Sequence, residues 1–240
     1  MYRTASFPPN KQGRDFVVGD LHGHFNMLAT ALTAVNFNTE LDRIFSVGDL
    51  IDRGPDSKDV LNWLEKPWFH AVRGNHEQML IDGIAGHGDR PRHIRNGGAW
   101  LYKLTPAIQD KLLKAFEKLP VIIEIHLSPN ETVGIVHAQA PMIGLNDDWQ
   151  SAKDAITGKL GEQCQHQALA QALYAREKIE RQDQTSIKGL LALYVGHSTV
   201  PNVTRLGNVV YMDTGCSFSD GALSLVEINS QAVISVGTTQ

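Results

Sequence analysis

Three short segments gather the side chains most able to do chemistry: Val17-Val-Gly-Asp20-Leu-His22-Gly, Val47-Gly-Asp49-Leu-Ile-Asp52-Arg53-Gly and Val72-Arg73-Gly-Asn75-His76-Glu77. Two more, Val136-His137-Ala and Val195-Gly196-His197-Ser198, present an imidazole directly after an apolar run. Pooled, Asp20, His22, Asp49, Asn75, His137 and His197 offer two carboxylates, one amide oxygen and three imidazoles, with no sulfur. Hard, mixed oxygen and nitrogen donors suit Mn2+, Fe or Mg2+, and Zn2+ less exclusively. Six ligands exceed what one catalytic ion needs if it keeps an open position. Two divalent ions sharing a carboxylate fit better, and such pairs catalyse in-line displacement at phosphorus. Any one Gly-Asp or Gly-His after a strand is more often a turn or a cap. Five at successive strand ends point to a site.

The elements that must carry these residues alternate in period. Asp15 to Gly19, Ile44 to Val47 and Trp68 to Val72 read as buried strands. Helical spacing covers Asn26 to Val35, Ser57 to Lys66 and His76 to Ile84. This β-α-β-α-β-α order implies a parallel sheet whose carboxyl ends bind ligands. A helix over Pro106 to Leu119 precedes a hairpin of Val121 to Ile125 and Thr132 to Val136, turned at Ser128-Pro-Asn-Glu131. Another helix spans about Gln167 to Ile179. Strands then cover Leu190 to Val195, Val203 to Leu206, Val209 to Asp213, Leu223 to Ile228 and Ala232 to Val236, and these later strands are expected to be antiparallel. Gly86-His-Gly-Asp-Arg-Pro-Arg92 reads as a polar loop, solvated rather than lining a substrate groove.

Composition limits the alternatives. The chain has 240 residues, 42% hydrophobic and 20% charged, as an ordinary globule has, and one domain over 1–240 is the expectation. Its 22 basic and 26 acidic residues give a formal charge of −4, so no global positive field draws in nucleic acid. Two cysteines, Cys164 and Cys216, are too few for a disulfide framework. Neither starts a Cys-x5-Arg loop, since Ala170 and Ala222 stand where arginine would be, which excludes a cysteine-dependent phosphatase. No run approaches a membrane span and the first ten residues lack an apolar signal core, so a cytoplasmic protein, monomeric by default, is expected.

A phosphate ester needs charge neutralised on its equatorial oxygens, an in-line nucleophile and a proton for the leaving oxygen. The guanidiniums of Arg53 and Arg73 are planar forks matched to phosphate. His76 follows a candidate ligand and so belongs over the leaving group, with Asp52 to hold its imidazole in one tautomer and favour the donating form. His24, His70, His87, His93, His126 and His166 lack the strand-end setting and read as structural or solvent-facing. Asp213, in Tyr211-Met-Asp-Thr-Gly215, is either a hydrogen-bond partner of a site histidine or a plain turn residue.

As a set, Gly-Asp20-Leu-His22-Gly, Gly-Asp49-Leu-Ile-Asp-Arg53-Gly-Pro, Arg73-Gly-Asn75-His76-Glu77, His137 and Gly-His197 resemble the calcineurin-like metallophosphoesterases of the phosphoprotein phosphatase family. Trp68-Phe-His-Ala-Val-Arg-Gly-Asn-His-Glu-Gln-Met79 and the pair Gly97-Gly98 look closest to the bacteriophage-lambda-type and related bacterial serine/threonine phosphatases. The resemblance runs from Asp15 to about Leu225. It implies an α/β fold with two mixed β-sheets in a sandwich flanked by helices. It also implies two divalent ions, Mn2+ foremost, with Fe, Zn2+, Mg2+, Co2+ or Ni2+ as alternatives. One ion would take Asp20, His22 and Asp49, the other Asp49, Asn75, His137 and His197. A metal-bridging hydroxide would attack a phosphoserine or phosphothreonine ester in a protein, phosphotyrosine being a further option. Arg53, Arg73 and, through Tyr174-Ala-Arg176-Glu177, Arg176 would clamp the phosphate, and His76 with Asp52 would be the acid and its partner. Gln139 and His24 depart from the pattern, where relatives tend to carry an acidic residue and cysteine, which bears on substrate preference. Two rivals stand beside this reading: a dinucleoside-polyphosphate hydrolase, whose pattern lacks an acidic residue at position 52, and a catalytically silent scaffold.

Overall fold

In the computed structural model, which describes residues 3–143 and 148–237, the run Asp15–Val18 is a strand buried on both faces. Phe16 and Val18 point to one apolar cluster and Val17 to another, as the two-residue period of a strand requires. The same division recurs at Ile44 against Phe45, and at Leu193 and Val195 against Ala192 and Tyr194. Sheets covered on both sides are the consequence. The expectation of one domain over 1–240 includes 1–2, 144–147 and 238–240, which lie outside the described residues.

Among the described residues there are strands β1 (Thr4–Phe7), β2 (Asp15–Val18), β3 (Arg43–Ser46), β4 (Phe69–Ala71), β5 (Ile122–Ser128), β6 (Glu131–Val136), β7 (Ala192–Val195), β8 (Thr204–Leu206), β9 (Val209–Tyr211), β10 (Ala222–Glu227) and β11 (Val233–Gly237). The helices are α1 (Phe25–Ala34), α2 (Val60–Leu64), α3 (Asn75–Ala85), α4 (Arg90–Arg95), α5 (Pro106–Glu117), α6 (Trp149–Ile156), α7 (Glu162–Tyr174) and α8 (Glu177–Glu180). One sheet runs β11-β10-β2-β3-β4, the other β1-β5-β6-β7-β9-β8. The sheets pack on each other through Val17, Phe45, Ile135 and Tyr194, among others. Residues of α1, α3 and α5 cover the outer face of the first sheet, and those of α6 and α7 the outer face of the second.

Three expectations need correction. The later strands are not all antiparallel: β6, β7 and β9 are mutually parallel neighbours, because α6, α7 and α8 form the crossover between β6 and β7. The helix read over Gln167 to Ile179 starts earlier, at Glu162, and breaks at Ala175, whose extended backbone (ψ 145°) separates α7 from α8. The second half of the polar loop at Gly86–Arg92 opens α4, capped by the Asp89 carboxylate on the Arg92 N–H with Pro91 in the first turn. The edge strand β1 and the helix α6 were not anticipated. No helix among the described residues is long and apolar enough to cross a membrane.

Candidate active site

The five ligand-bearing segments follow β2, β3 and β4 of one sheet and β6 and β7 of the other, and their side chains meet at one edge of the sandwich. Asp20, His22, Asp49, Arg53, Asn75, His76, Arg176 and His197 line a single cavity of about 370 Å³, with His137 fully buried behind Asp49. Backbone bonds weld the loops together. The N–H groups of Leu21 and His22 donate to the Asp49 carbonyl, and the His197 N–H, from the other sheet, donates to the Asp20 carboxylate at 3.0 Å. Of the eight non-glycine described residues with positive φ, five are His22, Asp49, Asp52, Arg53 and His197. Such backbone is unfavourable for a side-chain-bearing residue, and its clustering here marks loops shaped by the site.

Asp49 is the centre. Its Oδ2 lies 3.7 Å from His22 Nε2 and 3.8 Å from His76 Nε2, and its Oδ1 lies 3.4 Å from His137 Nε2. His22 and His137 each turn Nδ1 to a backbone carbonyl, of Ile51 at 3.1 Å and Val47 at 2.8 Å. That anchoring leaves both Nε2 atoms facing the carboxylate, the arrangement of metal-ligating histidines. His137 Nε2 is also 2.8 Å from Asn75 Oδ1. An imidazole lone pair and an amide oxygen at that separation are favourable only with a proton or a cation shared between them. His197 turns Nε2 to the Tyr174 carbonyl, and its ring centre is 5.1 Å from that of His137. Asp49, His137 and His197 form one candidate metal triad and His22, Asp49 and His76 another. This donor set fits a pair of divalent ions held around Asp49.

The electrostatics agree. Burial lowers His22 to about 3, with the neighbouring His76 and Arg53 charges working the same way against Asp49. His197 also falls to about 3, through burial and the charges of His137 and Arg176. Both are neutral and ready to ligate at ordinary pH. Burial opposes a charge on His137, but Asp49, its hydrogen bond and Asp20 together raise it to about 10. Burial and the charge of Asp213 push the Asp20 carboxyl well above its usual range.

His76 is the second residue of α3, directly after Asn75, and its Nδ1–H donates to Asp52 Oδ2 at 2.7 Å. Burial lowers its pKa, yet Asp49 and the Asp52 bond outweigh that and hold it above the usual value. Arg53 donates to His22 Nε2 at 3.0 Å and to Ser217 Oγ at 3.2 Å, with its guanidinium 5.7 Å from the Phe218 ring. Arg176, freed by the break between α7 and α8, enters from the helices on the second sheet's side and donates to Ser198 Oγ.

Arg73, unlike the other two predicted phosphate-binding arginines, does not line the cavity. Its buried guanidinium donates to Gln78 Oε1 at 3.0 Å and to the Glu117 carbonyl at 2.9 Å, on the side of α3 facing α5. Its geometry ties α3 to α5 and so corrects the phosphate-clamp expectation. Asp213 lines the cavity but accepts from Thr199 Oγ1 and the Gly215 N–H, with no histidine bonded to it. Gln139 and His24 lie outside the cavity; Gln139 accepts from the Lys178 N–H.

Sequence reasoning missed three supports. His93 is buried, donates Nε2–H to Asp52 Oδ2 at 3.0 Å and accepts from Tyr102 at Nδ1, which takes the structural side of its reading and adds a contact to the site. Trp100 Nε1–H donates to Asp52 Oδ1 at 2.7 Å. Glu77, fully buried, accepts from the backbone N–H of Asp49, Leu50 and Gly74, clasping the β3 and β4 loops. Glycine Gly98 is required beside His93, because a Cβ there would collide with the ring. Position gave the signal for Glu77, which follows His76 directly; His93 and Trp100 carried none.

Comparison with known proteins points the same way. The family model for calcineurin-like phosphoesterase matches residues 16–188. The serine/threonine-protein phosphatase 2 of Escherichia coli K12 is 33% identical over 219 residues, covering 89% of this chain and 92% of that protein. The serine/threonine-protein phosphatase 1 of Salmonella typhimurium is 36% identical over 216 residues, 89% and 91% of the two chains. The symmetrical bis(5'-nucleosyl)-tetraphosphatase of Serratia proteamaculans is 30% identical over 141 residues, covering 56% of this chain and 44% of that one. Among solved structures, a protein serine/threonine phosphatase from Saccharomyces cerevisiae superposes with a TM-score of 0.64 at 16% identity, over 99% of this chain and 84% of that one, and shares the fold. The chain belongs to the calcineurin-like phosphoesterase family.

Proposed function

We propose that this chain, acting as one monomeric domain in the cytoplasm, hydrolyses phosphoserine and phosphothreonine esters in proteins, with phosphotyrosine as a secondary substrate. The observation that carries this reading is similarity across nine tenths of the chain to bacterial serine/threonine phosphatases, against little more than half for the tetraphosphatase. The acidic residue at position 52 supports the same side, because its hydrogen bond readies His76 to give a proton to an alkoxide.

In this reading Asp20, His22 and Asp49 hold one divalent ion and Asp49, Asn75, His137 and His197 the other, with Mn2+ the native metal. The bound ions supply positive charge to the phosphoryl oxygens and make a water acidic enough to attack near neutral pH. Arg53 and Arg176, from the sides of the first and second sheet, grip the equatorial oxygens. His76 protonates the leaving oxygen while Asp52 fixes its ring. A retained acid and a full ligand set argue against a silent scaffold.

The test is a comparison of a phosphoserine peptide with diadenosine tetraphosphate on Mn2+-loaded protein. The expected result is a kcat/KM at least tenfold higher for the peptide. A reversed ratio overturns the reading.

A further inference from the structure

The cavity holds more positive side chains than a phosphomonoester requires. Arg53 and Arg176 serve the phosphate; Arg92 lines the same cavity from α4, a third arginine outside the family motifs. None of the three pairs with a carboxylate among the described residues.

The backbone of exposed Arg92 is anchored at both its N–H and its carbonyl. Asp89 Oδ1 accepts from its N–H at 2.9 Å, and Asn96 Nδ2 donates to its carbonyl at 2.8 Å. The next residue, His93, is pinned to Asp52 and through it to His76. The guanidinium lies 5.6 Å from the Tyr174 ring, so it spans the cavity mouth towards the Arg176 side. An exposed guanidinium on an anchored backbone beside the reacting centre, without an ionic partner among the described residues, is placed to meet charge on the substrate.

We propose that Arg92 forms a subsite for a second anionic group of the substrate, so that the enzyme prefers phosphoserine or phosphothreonine flanked by acidic residues. This rests on the protein-phosphatase reading and refines it. Arg92 is a donor fork for a carboxylate, and exposed Phe218 offers an apolar contact for the peptide beside Arg53.

The test uses Mn2+-loaded full-length protein and three phosphoserine peptides whose flanking residues are all Ala, all Glu or all Lys. Wild type is expected to show kcat/KM about 3- to 10-fold higher for the Glu than the Ala peptide, the range of a partly enclosed charge-assisted pair, with the Lys peptide lowest. The ratio should shrink in 0.5 M salt (a fixed assay condition), as a screened attraction must. Arg92→Gln should bring the Glu/Ala ratio to about one, and Arg92→Lys should keep part of it. Because the readout is a ratio, any common loss of activity cancels. A wild-type ratio near one, or a ratio unchanged in Arg92→Gln, overturns the subsite while leaving the phosphatase reading intact. Cleavage of diadenosine tetraphosphate with none of the three peptides cleaved overturns both.

Discussion

His93 Nε2 and Asp52 Oδ2 lie 3.0 Å apart, joining residues 41 positions apart in a buried contact. The same oxygen accepts from His76 at 2.7 Å, while Trp100 takes the other. Three donors on one carboxylate keep it ionised: burial pushes its pKa up, but the His76 and His93 bonds bring it below the usual value. A charged, immobile Asp52 fixes the His76 ring, and the acid role can be tested on this basis.

Replacing His76 by Asn should preserve metal content and fold. On an alkyl serine phosphate kcat should drop by about 10²–10⁴-fold, the usual worth of a general acid. An aryl phosphate leaves as a stable anion, and its loss should be visibly smaller. Asp52→Asn should follow the same pattern more weakly, and His93→Gln more weakly still. Steady-state kinetics on both esters decide it; equal losses on the two would remove His76 from this role.

Asp49→Asn should weaken both metal sites, since its oxygens face His22 on one side and His137 on the other. Asp20→Asn should spare the site of His137 and His197. Elemental analysis after dialysis reads the stoichiometry, with two ions per chain expected for wild type. One ion per chain in fully active protein would defeat the paired-ion argument.

Metal loading should release protons. His137, raised to about 10, carries a proton at pH 7 when no ion is present, whereas His22 and His197, near 3, carry none. A ligating imidazole is neutral and a ligating carboxylate ionised, so loading at pH 7 should expel the His137 proton and any held by the raised Asp20 carboxyl, about one proton per chain or more, and affinity should rise with pH. Activity should accordingly fall on the acid side, with added Mn2+ moving that limb lower. Titration calorimetry in buffers of different ionisation enthalpy measures the proton count; a value of zero contradicts the assignment.

Gly98→Ala should destabilise the fold by about 1–3 kcal/mol, because the new methyl must displace the His93 ring from a packed position. At about 2–4 °C per kcal/mol for a chain of this size, the melting temperature reports it. The variant should also lose more activity on the alkyl than on the aryl ester, since His93 moves with Asp52.

What could be read from the sequence follows from the range of the interactions involved. Strand ends were legible because an apolar run, a glycine and a ligating side chain are contiguous, as in Val47-Gly48-Asp49. The candidate ligands came with them, whereas the two-sheet sandwich was implied by the family resemblance. α4 was hidden: Arg90-Pro-Arg-His-Ile-Arg95 is short and shows no apolar face, so nothing local chose between a structural and a solvent-facing His93, which is buried. Arg73 failed for the opposite reason. Its place between a strand and Gly74 was clear, but the direction of its side chain depends on α5, more than 30 residues on. Arg176 reaches the cavity through a helix break that periodicity smoothed over.

The left-handed backbone at His22, Asp49, Asp52, Arg53 and His197 sets evolution of the protein against itself. Glycine would relax each of these positions, by about 1 kcal/mol or more where the strain is greatest. A library screened for heat resistance alone should therefore drift towards glycine there and deliver sturdy, inert sandwiches. Only a screen that also demands turnover would retain the five side chains, and its winners should gain their stability elsewhere, in the surface of α5 or the loops remote from the cavity.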